Sequence, residues 1–256
     1  MAVKSAFAVA LCLLAASARG DWAISSSQTE RGAAAGVEHR RIVVTDSGTG
    51  DKATVDLAVF STKSATVRVI DDPAASASLA EIMRRENCVA GVNGGYFDPD
   101  YAPVGLLISD GRVVAPLRKA RLLSGVVSVT NGRVQIQRPS EFSLKARPTA
   151  ARQCGPFLVD RGKPINGLNE TRSARRTFVV TGGGDRAAIG YCSAVTLAQL
   201  GALLATGGVA GEWKIQRALN LDGGSSSGFW FAGENGVFSI REQKRVRDFL
   251  AVVAKP

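Results

Sequence analysis

The sequence predicts an α+β protein, a single domain built on a largely antiparallel or mixed β-sheet with a few helices. Short apolar or β-branched runs are joined by turn signals, and only two segments carry clear helix-start signals. No repeat with a period of about 20 to 50 residues is visible. A doubly wound parallel sheet would need a helix after nearly every strand. The 256 residues, 45% of them hydrophobic, can bury the core of one such domain.

The N-terminus has the features of a secretory signal peptide. Residues 1–20 contain one positive charge at Lys4, an apolar run over 6–16 and small residues after it. Two cleavage positions compete, one after Ala18 and one after Gly20. The sequence therefore predicts that 1–20 are removed from the mature protein.

Such a segment predicts an exported protein, either periplasmic or secreted. Its apolar run is too short to span a bilayer comfortably, and no later segment has the roughly 18 consecutive apolar residues of a spanning helix. Cys12 suggests a lipoprotein signal, but Leu11 before it is larger than that signal accepts. We expect no transmembrane segment after cleavage.

The next part of the chain predicts strands and one short helix. Residues 21–40 are interpreted as an N-terminal lead-in, which places the folded domain at 41–256. Ser78 and Glu81 have the spacing of a capping box and predict a helix over about 79–87. Three β-branched or alternating runs before this helix are predicted to be strands: 41–45, 53–60 and 66–70.

Downstream segments predict hairpins in series. Asp110-Gly111 and Asn131-Gly132 are dipeptides that tolerate the positive φ angles of a two-residue turn. Thr196 and Gln199 form a second capping box ahead of a leucine-rich face, which predicts the second helix. Two further hairpins with longer loops are predicted, in FLVDRGKPI and FVVTGGGDRAAIG, and a last hairpin is predicted in GFWFAGENGVFSI.

Charge and cysteine content argue against some classes of protein. The formal net charge is +10, but Lys and Arg are scattered, which indicates general attraction to anions and no nucleic-acid partner. Three cysteines follow the signal peptide, no CxxC pair occurs, and the only histidine is His39. We therefore expect no transition-metal site and no cofactor, while a need for a divalent cation is left open. His39 is predicted to be structural or exposed.

Two glycine-rich segments share one pattern, an apolar run followed by Asn or Asp and then two glycines. The first contains Asn93-Gly94-Gly95 and the second contains Asp222-Gly223-Gly224. Glycine pairs let the backbone approach a ligand closely and can aim successive N–H groups at an anion. Taken singly, however, each segment is more often a tight turn.

Three familiar motifs can be compared with the second segment. It is not a phosphate-binding Walker loop, because no lysine follows the glycines. Ser226 lies in a G-x-S-x-G match, so a serine hydrolase is an alternative, but strand-like residues follow it and His39 precedes it. A calcium loop of the EF-hand type would need alternating acids that are absent.

Five segments in order resemble the phosphodiester glycosidase family. They are GVNGGYFDPDYAPVGLLISDGRVV at 91–114, CGPFLVDRGKP at 154–164, ARRTFVV at 174–180, VTLAQLGALL at 195–204 and ALNLDGGSSS at 218–227. The similarity extends from about Cys88 to Val253. It implies an α+β fold in which the two glycine segments meet at one site. It also implies a hydrolase that cleaves the glycosyl bond of a sugar-1-phosphodiester, releasing free sugar and a phosphomonoester.

The resemblance also implies the residues of the site. Asp98 and Asp222 are predicted to be catalytic, because they are the carboxylates of the two glycine segments, VNGGYFD and LDGGSSS, and glycosidic cleavage generally uses two. Arg176 offers a planar fork of donors to a phosphate, and Asn93 could bond to a sugar hydroxyl. The backbone completes the predicted substrate site at Gly94, Gly95, Gly223, Gly224 and Ser225.

Three features depart from the family pattern or go beyond it. Ser225 stands where many members carry a third glycine, and Arg175 doubles the arginine of the motif, so either guanidinium could enter the site. Cys154 and Cys192 lie beside two motif segments and could pair in an oxidising compartment, which would leave Cys88 free.

Two classes of function follow from these patterns. The first is an exported hydrolase whose partner is a sugar-phosphate small molecule or a glycan. The second is a non-catalytic carbohydrate- or envelope-binding protein on the same fold. Turnover of a glycosyl phosphodiester separates them.

Overall fold

The protein is built mainly of β-strands, and a computed structural model describes residues 21–255. The predicted signal peptide therefore lies outside the described residues. The strands are β1 (Trp22–Arg31), β2 (Val37–Asp46), β3 (Lys52–Ser61), β4 (Ala65–Asp71), β5 (Ala90–Asn93), β6 (Leu107–Ser109), β7 (Arg112–Ala115), β8 (Gly125–Thr130), β9 (Arg133–Gln137), β10 (Ala150–Cys154), β11 (Phe157–Asp160), β12 (Lys163–Pro164), β13 (Ala174–Thr181), β14 (Arg186–Val195), β15 (Arg217–Asn220), β16 (Phe229–Gly233), β17 (Gly236–Ile240) and β18 (Asp248–Ala254). Within residues 21–255, two α-helices accompany them, α1 (Leu79–Arg85) and α2 (Leu197–Ala205).

These strands form three sheets, and neighbouring strands within them run antiparallel. The first sheet has eight strands in the order β1-β2-β3-β14-β13-β15-β11-β12. The second has five in the order β7-β6-β10-β8-β9, and the third has five in the order β17-β16-β5-β18-β4. The predicted fold class, a largely antiparallel α+β domain, is confirmed.

The predicted tight turns form as their dipeptides require. Asp110 and Gly111 have φ angles of 47° and 78° between β6 and β7, and Asn131 and Gly132 have 50° and 70° between β8 and β9. Two successive positive φ angles give a turn whose twist matches that of the flanking strands. The three other predicted hairpins are also present, as β11–β12, β13–β14 and β16–β17. Only β13–β14 has a longer loop, residues 182–185, while the other two turn over two residues each, 161–162 and 234–235.

Both predicted helices begin at their capping boxes. Ser78 and Thr196 are the N-caps, and each accepts a hydrogen bond from the backbone N–H three residues later. Helix α1 ends at Arg85, about two residues earlier than predicted, and Asn87 follows with a φ of 52°. No helix among residues 21–255 is long and apolar enough to cross a membrane.

The interpretation of residues 21–40 as a lead-in is wrong. Residues 22–31 form β1 and pair with β2, which already begins at Val37. Nearly every side chain of β1 is exposed apart from Trp22, so the strand carries no alternation of apolar and polar residues. Its stability comes from backbone pairing and one buried indole, which hydrophobic periodicity cannot detect.

The hydrophobic core lies between the three sheets. One cluster of buried side chains receives residues from all three, including Phe60, Val127 and Leu250. The outer face of the first sheet is covered by α2 through Leu200, Leu203 and Leu204. Helix α1 covers the outer face of the third sheet. The three sheets therefore share one core, and the two glycine segments follow β5 of the third sheet and β15 of the first.

The pairing considered for Cys154 and Cys192 does not occur. Both are buried free thiols, as is Cys88. Cys154 belongs to the central core, whereas Cys192 belongs to the cluster under α2, on the other face of the first sheet. A disulfide would have to pass through that sheet.

His39 is structural, as one of the two expectations for it stated. Its ring is buried, and Nε2 lies 2.9 Å from Asp56 Oδ1. The same ring stacks against Phe238 with a centroid separation of 4.7 Å. His39 thereby ties the first sheet to the β16–β17 hairpin and takes no part in the site described below.

Candidate active site

The structure brings the two glycine segments together at the ends of β5 and β15. The Asp222 backbone N–H donates to the Gly94 carbonyl at 3.1 Å. Asn93 Nδ2 donates to the Asp222 carbonyl at 2.7 Å. Because β5 belongs to the third sheet and β15 to the first, these bonds join two sheets at a single point.

Asn93 anchors this junction from a buried position. Its Oδ1 lies 2.9 Å from the Thr177 hydroxyl and accepts from the Gly228 N–H at 3.3 Å. The Thr177 hydroxyl also lies 2.8 Å from the Asp222 carbonyl oxygen. The amide of Asn93 is thus bonded to protein atoms that fix Asp222, and its contact with a sugar hydroxyl stays a prediction.

A buried ion pair supports the first glycine segment, and sequence reasoning missed it. Arg152 Nε lies 3.0 Å from Asp248 Oδ1, and both side chains are fully buried. Asp248 also accepts from the backbone of both glycines, from Gly94 N through its carbonyl at 2.7 Å and from Gly95 N through Oδ1 at 3.1 Å. Arg152 Nη2 donates to the Tyr96 carbonyl at 2.6 Å. Charged bonds of this kind hold a loop more rigidly than neutral ones.

This pair explains why both positions are glycine. A Cβ placed on Gly94 would lie 1.7 Å from Asp248 Oδ1, and one on Gly95 would lie 2.5 Å from Arg152 Cζ. No side chain fits at those distances. The glycines therefore serve the approach of the buried ion pair to the backbone.

Asp222 is the carboxyl at the centre of the junction. Burial raises its pKa, and the charge of Asp248 acts in the same direction. The Ser226 hydroxyl, Lys244 and the Gly223 N–H oppose that rise. Asp222 Oδ1 accepts from Gly223 N at 3.0 Å. A partly buried carboxyl with a raised pKa is suited to giving up a proton during a reaction.

Arg176 is a buried cation beside this carboxyl. Only 8% of the residue is exposed. Nε donates to the Val195 carbonyl at 3.1 Å and Nη2 to the Arg172 carbonyl at 2.7 Å. A Cβ on Gly223 would lie 3.4 Å from Nη1, so that nitrogen faces the second glycine segment.

Arg176 has no acidic partner among the described residues. Burial lowers its pKa, because the surroundings disfavour the charged form. A buried guanidinium normally has a carboxylate or another anion to offset the cost of desolvation. The position is therefore suited to an anionic ligand.

The structure also separates the two neighbouring arginines. Nη2 of Arg175 donates to the carbonyls of Ser227 and Arg241, whereas Nη1 of Arg176 faces Gly223. The guanidinium carbon of Arg175 lies 5.5 Å from the centre of the Tyr191 ring. Arg176, the residue predicted from the motif, is the one beside Asp222's loop.

Lys244 is a second cation near the junction that sequence reasoning missed. Its charge acts on Asp222, and Nζ lies 4.8 Å from the centre of the Phe97 ring. Its backbone N–H donates to the Ser225 carbonyl at 3.2 Å, which fixes the segment that carries it. Lys244 is exposed, so it can reach a ligand at the mouth of the site.

The structure places Asp98 in a turn beside the site. Its Oδ1 accepts from the backbone N–H of Asp100 at 3.0 Å and of Ala102 at 2.8 Å. Within residues 21–255, no hydrogen bond or ion pair joins this carboxylate to Asp222 or Arg176. Asp98 follows Phe97, whose ring contacts Lys244. Its catalytic role stays a prediction.

The remaining residues of the second segment form the floor of the site. Residues 224–226 make one turn of 3-10 helix, and Gly224 has a φ of 67° that favours glycine. Ser225 is exposed, whereas the hydroxyls of Ser226 and Ser227 are buried without a well-formed hydrogen bond. Ser226 has no histidine partner, since Nε2 of His39 is bonded to Asp56. This arrangement gives no support to a serine nucleophile.

No group of three or more His, Cys, Asp or Glu side chains in the described part of the chain is arranged to hold a metal ion. The charged groups that converge on the site are instead one carboxyl and two cations: Asp222, Arg176 and Lys244.

Fold and site together define an antiparallel α+β protein in which a buried guanidinium, that of Arg176, faces the glycine segment of a carboxyl group with a raised pKa. The family model for phosphodiester glycosidase matches residues 86–253, and the chain belongs to the phosphodiester glycosidase family. Membership supports a glycosidase-type function.

Two solved structures share the fold. One is the zebrafish N-acetylglucosamine-1-phosphodiester alpha-N-acetylglucosaminidase catalytic domain, auto-inhibited by its pro-peptide; it has a TM-score of 0.65 and 15% identity over 90% of this chain and 89% of that one. The other is a hypothetical protein from Synechocystis, with a TM-score of 0.60 and 15% identity over 86% of this chain and 62% of that one. No curated protein matches the sequence.

Proposed function

We propose that this protein is an exported hydrolase that cleaves the bond between the anomeric carbon and the phosphate oxygen of a sugar-1-phosphodiester. The products are free sugar and a phosphomonoester. Arg176 is the observation that carries the proposal, because its buried guanidinium has no acidic partner in the described part of the chain and therefore suits an anion. Family membership supplies the reaction class, and the features of residues 1–20 support export to the periplasm or the medium.

The substrate phosphate is proposed to bind between Arg176 and the second glycine segment. Nη1 of Arg176 faces Gly223, and Lys244 adds a second positive charge at the mouth. The backbone of Gly223, Gly224 and Ser225 forms the turn against which the phosphate would rest, and the Gly223 N–H donates to Asp222 Oδ1. Negative charge builds up on the phosphate as the bond breaks, and these fixed donors and cations would stabilise it. Such electrostatic stabilisation of the transition state usually makes the largest contribution to rate enhancement.

Asp222 is proposed to act as the general acid. It adjoins Gly223 and hence the phosphate position, so it lies on the side of the leaving group. Burial raises its pKa and keeps it protonated to a higher pH than an exposed aspartic acid. It would donate its proton to the bridging oxygen while water adds its hydroxyl to the anomeric carbon. Asp98, the second predicted carboxyl, would receive the proton that the water releases.

The test is release of free sugar from a UDP-sugar or an aryl phosphoglycoside by the purified mature protein. Arg176→Lys keeps the charge but loses the fork, and we expect kcat/KM to fall about 100-fold. Arg186→Met, an exposed arginine at the start of β14, is the matched control and should leave kcat/KM unchanged.

Two outcomes would contradict the proposal. Equal activity of the Arg176→Lys variant and the wild type would remove the phosphate site from this position. Binding of the sugar phosphodiester without release of sugar would favour the second candidate, a non-catalytic carbohydrate- or envelope-binding protein. The observation that favours that candidate is the use of the Asp98 carboxylate in a turn.

A further inference from the structure

The loop between β7 and β8 is a basic and apolar projection beside the site. Residues 116–122 read PLRKARL, and all seven are exposed. Leu117 is 39% exposed and Leu122 is 53% exposed, which makes them two of the few large apolar side chains on the surface. We call residues 116–122 the basic loop.

The cations of the basic loop are unpaired. Arg118, Lys119 and Arg121 form no ion pair with any residue that the structure describes. They belong to a stretch, 111–140, that contains six Lys or Arg residues and no Asp or Glu. The local charge is therefore strongly positive and unscreened by neighbours in sequence.

The base of this loop is fixed, although its side chains are free. Gln153 is fully buried, and its Oε1 accepts from the Arg118 N–H at 3.0 Å. Its Nε2 donates to the carbonyls of Arg118 at 2.7 Å and Leu123 at 3.2 Å. One buried amide thus clamps both ends of the projection, so the loop presents its side chains from a defined backbone.

Contacts connect the basic loop to the active site. The Leu122 carbonyl packs on Gly155, where an added Cβ would lie 2.2 Å from that oxygen. The Gly155 carbonyl in turn accepts from the Tyr96 hydroxyl. Burial raises the pKa of the Tyr96 hydroxyl. The charge of Asp222 also raises that pKa, and the charge of Arg176 lowers it. Two residues therefore separate the loop from the proposed site of reaction.

We infer that the basic loop docks on an anionic lipid surface and holds the active site against it. Cations near a membrane attract anionic headgroups, and exposed leucines between them gain free energy by entering the boundary between headgroups and acyl chains. A water-soluble polyanion would pair with the cations but leave both leucines in water. The pattern of leucines flanking cations in Leu-Arg-Lys-Ala-Arg-Leu therefore favours a bilayer.

If the proposed function is also correct, docking implies that the phosphodiester substrate is part of the lipid surface. Only this consequence rests on the proposed function. Docking itself does not require turnover. A failure of the docking inference is thus distinguishable from a failure of the proposed function.

The experiment is sedimentation of the mature protein with vesicles of phosphatidylcholine, with or without phosphatidylglycerol. We expect binding only to the vesicles that contain phosphatidylglycerol. Arg118→Gln, Lys119→Gln and Arg121→Gln together should weaken it about 100-fold, since each cation near an anionic surface contributes to the affinity. Leu117→Ser with Leu122→Ser should weaken it about 10-fold at unchanged charge.

The chain offers a matched control at the other end of the second sheet. Leu144, Lys145 and Arg147 are an exposed leucine and two exposed cations in the connection from β9 to β10. Leu144→Ser, Lys145→Gln and Arg147→Gln together should leave vesicle binding within about threefold of the wild type, because these residues lie away from the basic loop. Circular dichroism checks that each variant is folded.

Three results would overturn the inference. The first is equal binding to vesicles with and without phosphatidylglycerol, or to neither. The second is an equal loss of binding in the control variant, which would assign the attraction to net charge. The third is unchanged vesicle binding in the double leucine variant together with displacement by soluble polyphosphate, which would make the occupant a polyanion.

Discussion

Replacing Asp248 by Asn tests how the first glycine segment is held. Asp248 and Arg152 are both fully buried, with 3.0 Å between Nε and Oδ1. At that distance two unit charges attract by about 5 kcal/mol if the effective dielectric constant is about 20. The cost of taking both charges out of water offsets part of this attraction, but removing one partner leaves the other buried and unpaired. We expect Asp248→Asn to lower the free energy of unfolding by about 3–5 kcal/mol.

The assay is urea unfolding followed by circular dichroism. Lys63→Gln is the control, because Lys63 and Asp185 form an exposed pair at 3.6 Å with Lys63 86% exposed. That variant should lose less than about 1 kcal/mol. Arg152→Met and the double variant complete a cycle, and the double variant should cost about 3 kcal/mol less than the sum of the single variants.

Two results would refute this reasoning. A loss in Asp248→Asn as small as that in Lys63→Gln would mean that the buried charge is compensated elsewhere. Strict additivity in the cycle would mean that Arg152 and Asp248 stabilise the protein independently, through their separate backbone bonds to Tyr96 and Gly95.

Three further predictions follow from the site and the core. Asp222→Asn should abolish sugar release. As pH rises above 3.8, the ordinary pKa of aspartic acid, the variant should become more stable than the wild type, because the raised pKa of Asp222 makes its ionisation in the folded protein costly. If the difference in unfolding free energy between variant and wild type does not change with pH, Asp222 is not buried as described. Gly94→Ala should lower the free energy of unfolding by about 2–4 kcal/mol, since its Cβ would lie 1.7 Å from Asp248 Oδ1. The control, Gly183→Ala, should stay within about 1 kcal/mol of the wild type, because a Cβ on Gly183 has no atom within 4 Å. Similar urea midpoints for both variants would contradict the close approach of Gly94 to Asp248. The thiols of Cys88, Cys154 and Cys192 should not react with a thiol reagent at neutral pH until denaturant is added. All three are buried, and burial raises the pKa of Cys154 to about 12. Rapid labelling of the folded protein would disprove their burial.

Local signals were sufficient for much of the fold. The turns at Asp110-Gly111 and Asn131-Gly132 and the caps at Ser78 and Thr196 depend on neighbouring residues in sequence, and all four form as predicted. Strand β1 was missed because its exposed side chains carry no period, and its partner lies across a turn. A strand stabilised mainly by backbone pairing has no regular alternation of apolar residues, so the sequence pattern does not reveal it.

The site was predictable in its segments but not in its supports. Asp222 and Arg176 lie in motifs, and the structure places them together. Arg152 and Asp248 lie 96 positions apart in ordinary strands, so only the fold shows that they meet. The sequence could not decide whether Asp98 serves a turn, because an aspartate before proline is consistent with both a catalytic carboxyl and a turn.

Arg175 and Arg176 are adjacent residues of β13, and the side-chain alternation of a strand gives them different surroundings. Successive residues of a strand face opposite sides, so Arg175 and Arg176 differ by one step of register. The pairing of β13 with β14 shifts between Ala174 and Arg176, which leaves Arg175 without a register partner. The guanidinium that faces Gly223 is the one on Arg176, directly after this irregularity. Deleting one residue here would keep an arginine in the motif but could exchange the two positions. The identity of the proposed anion-binding group therefore depends on backbone register as well as on side-chain type.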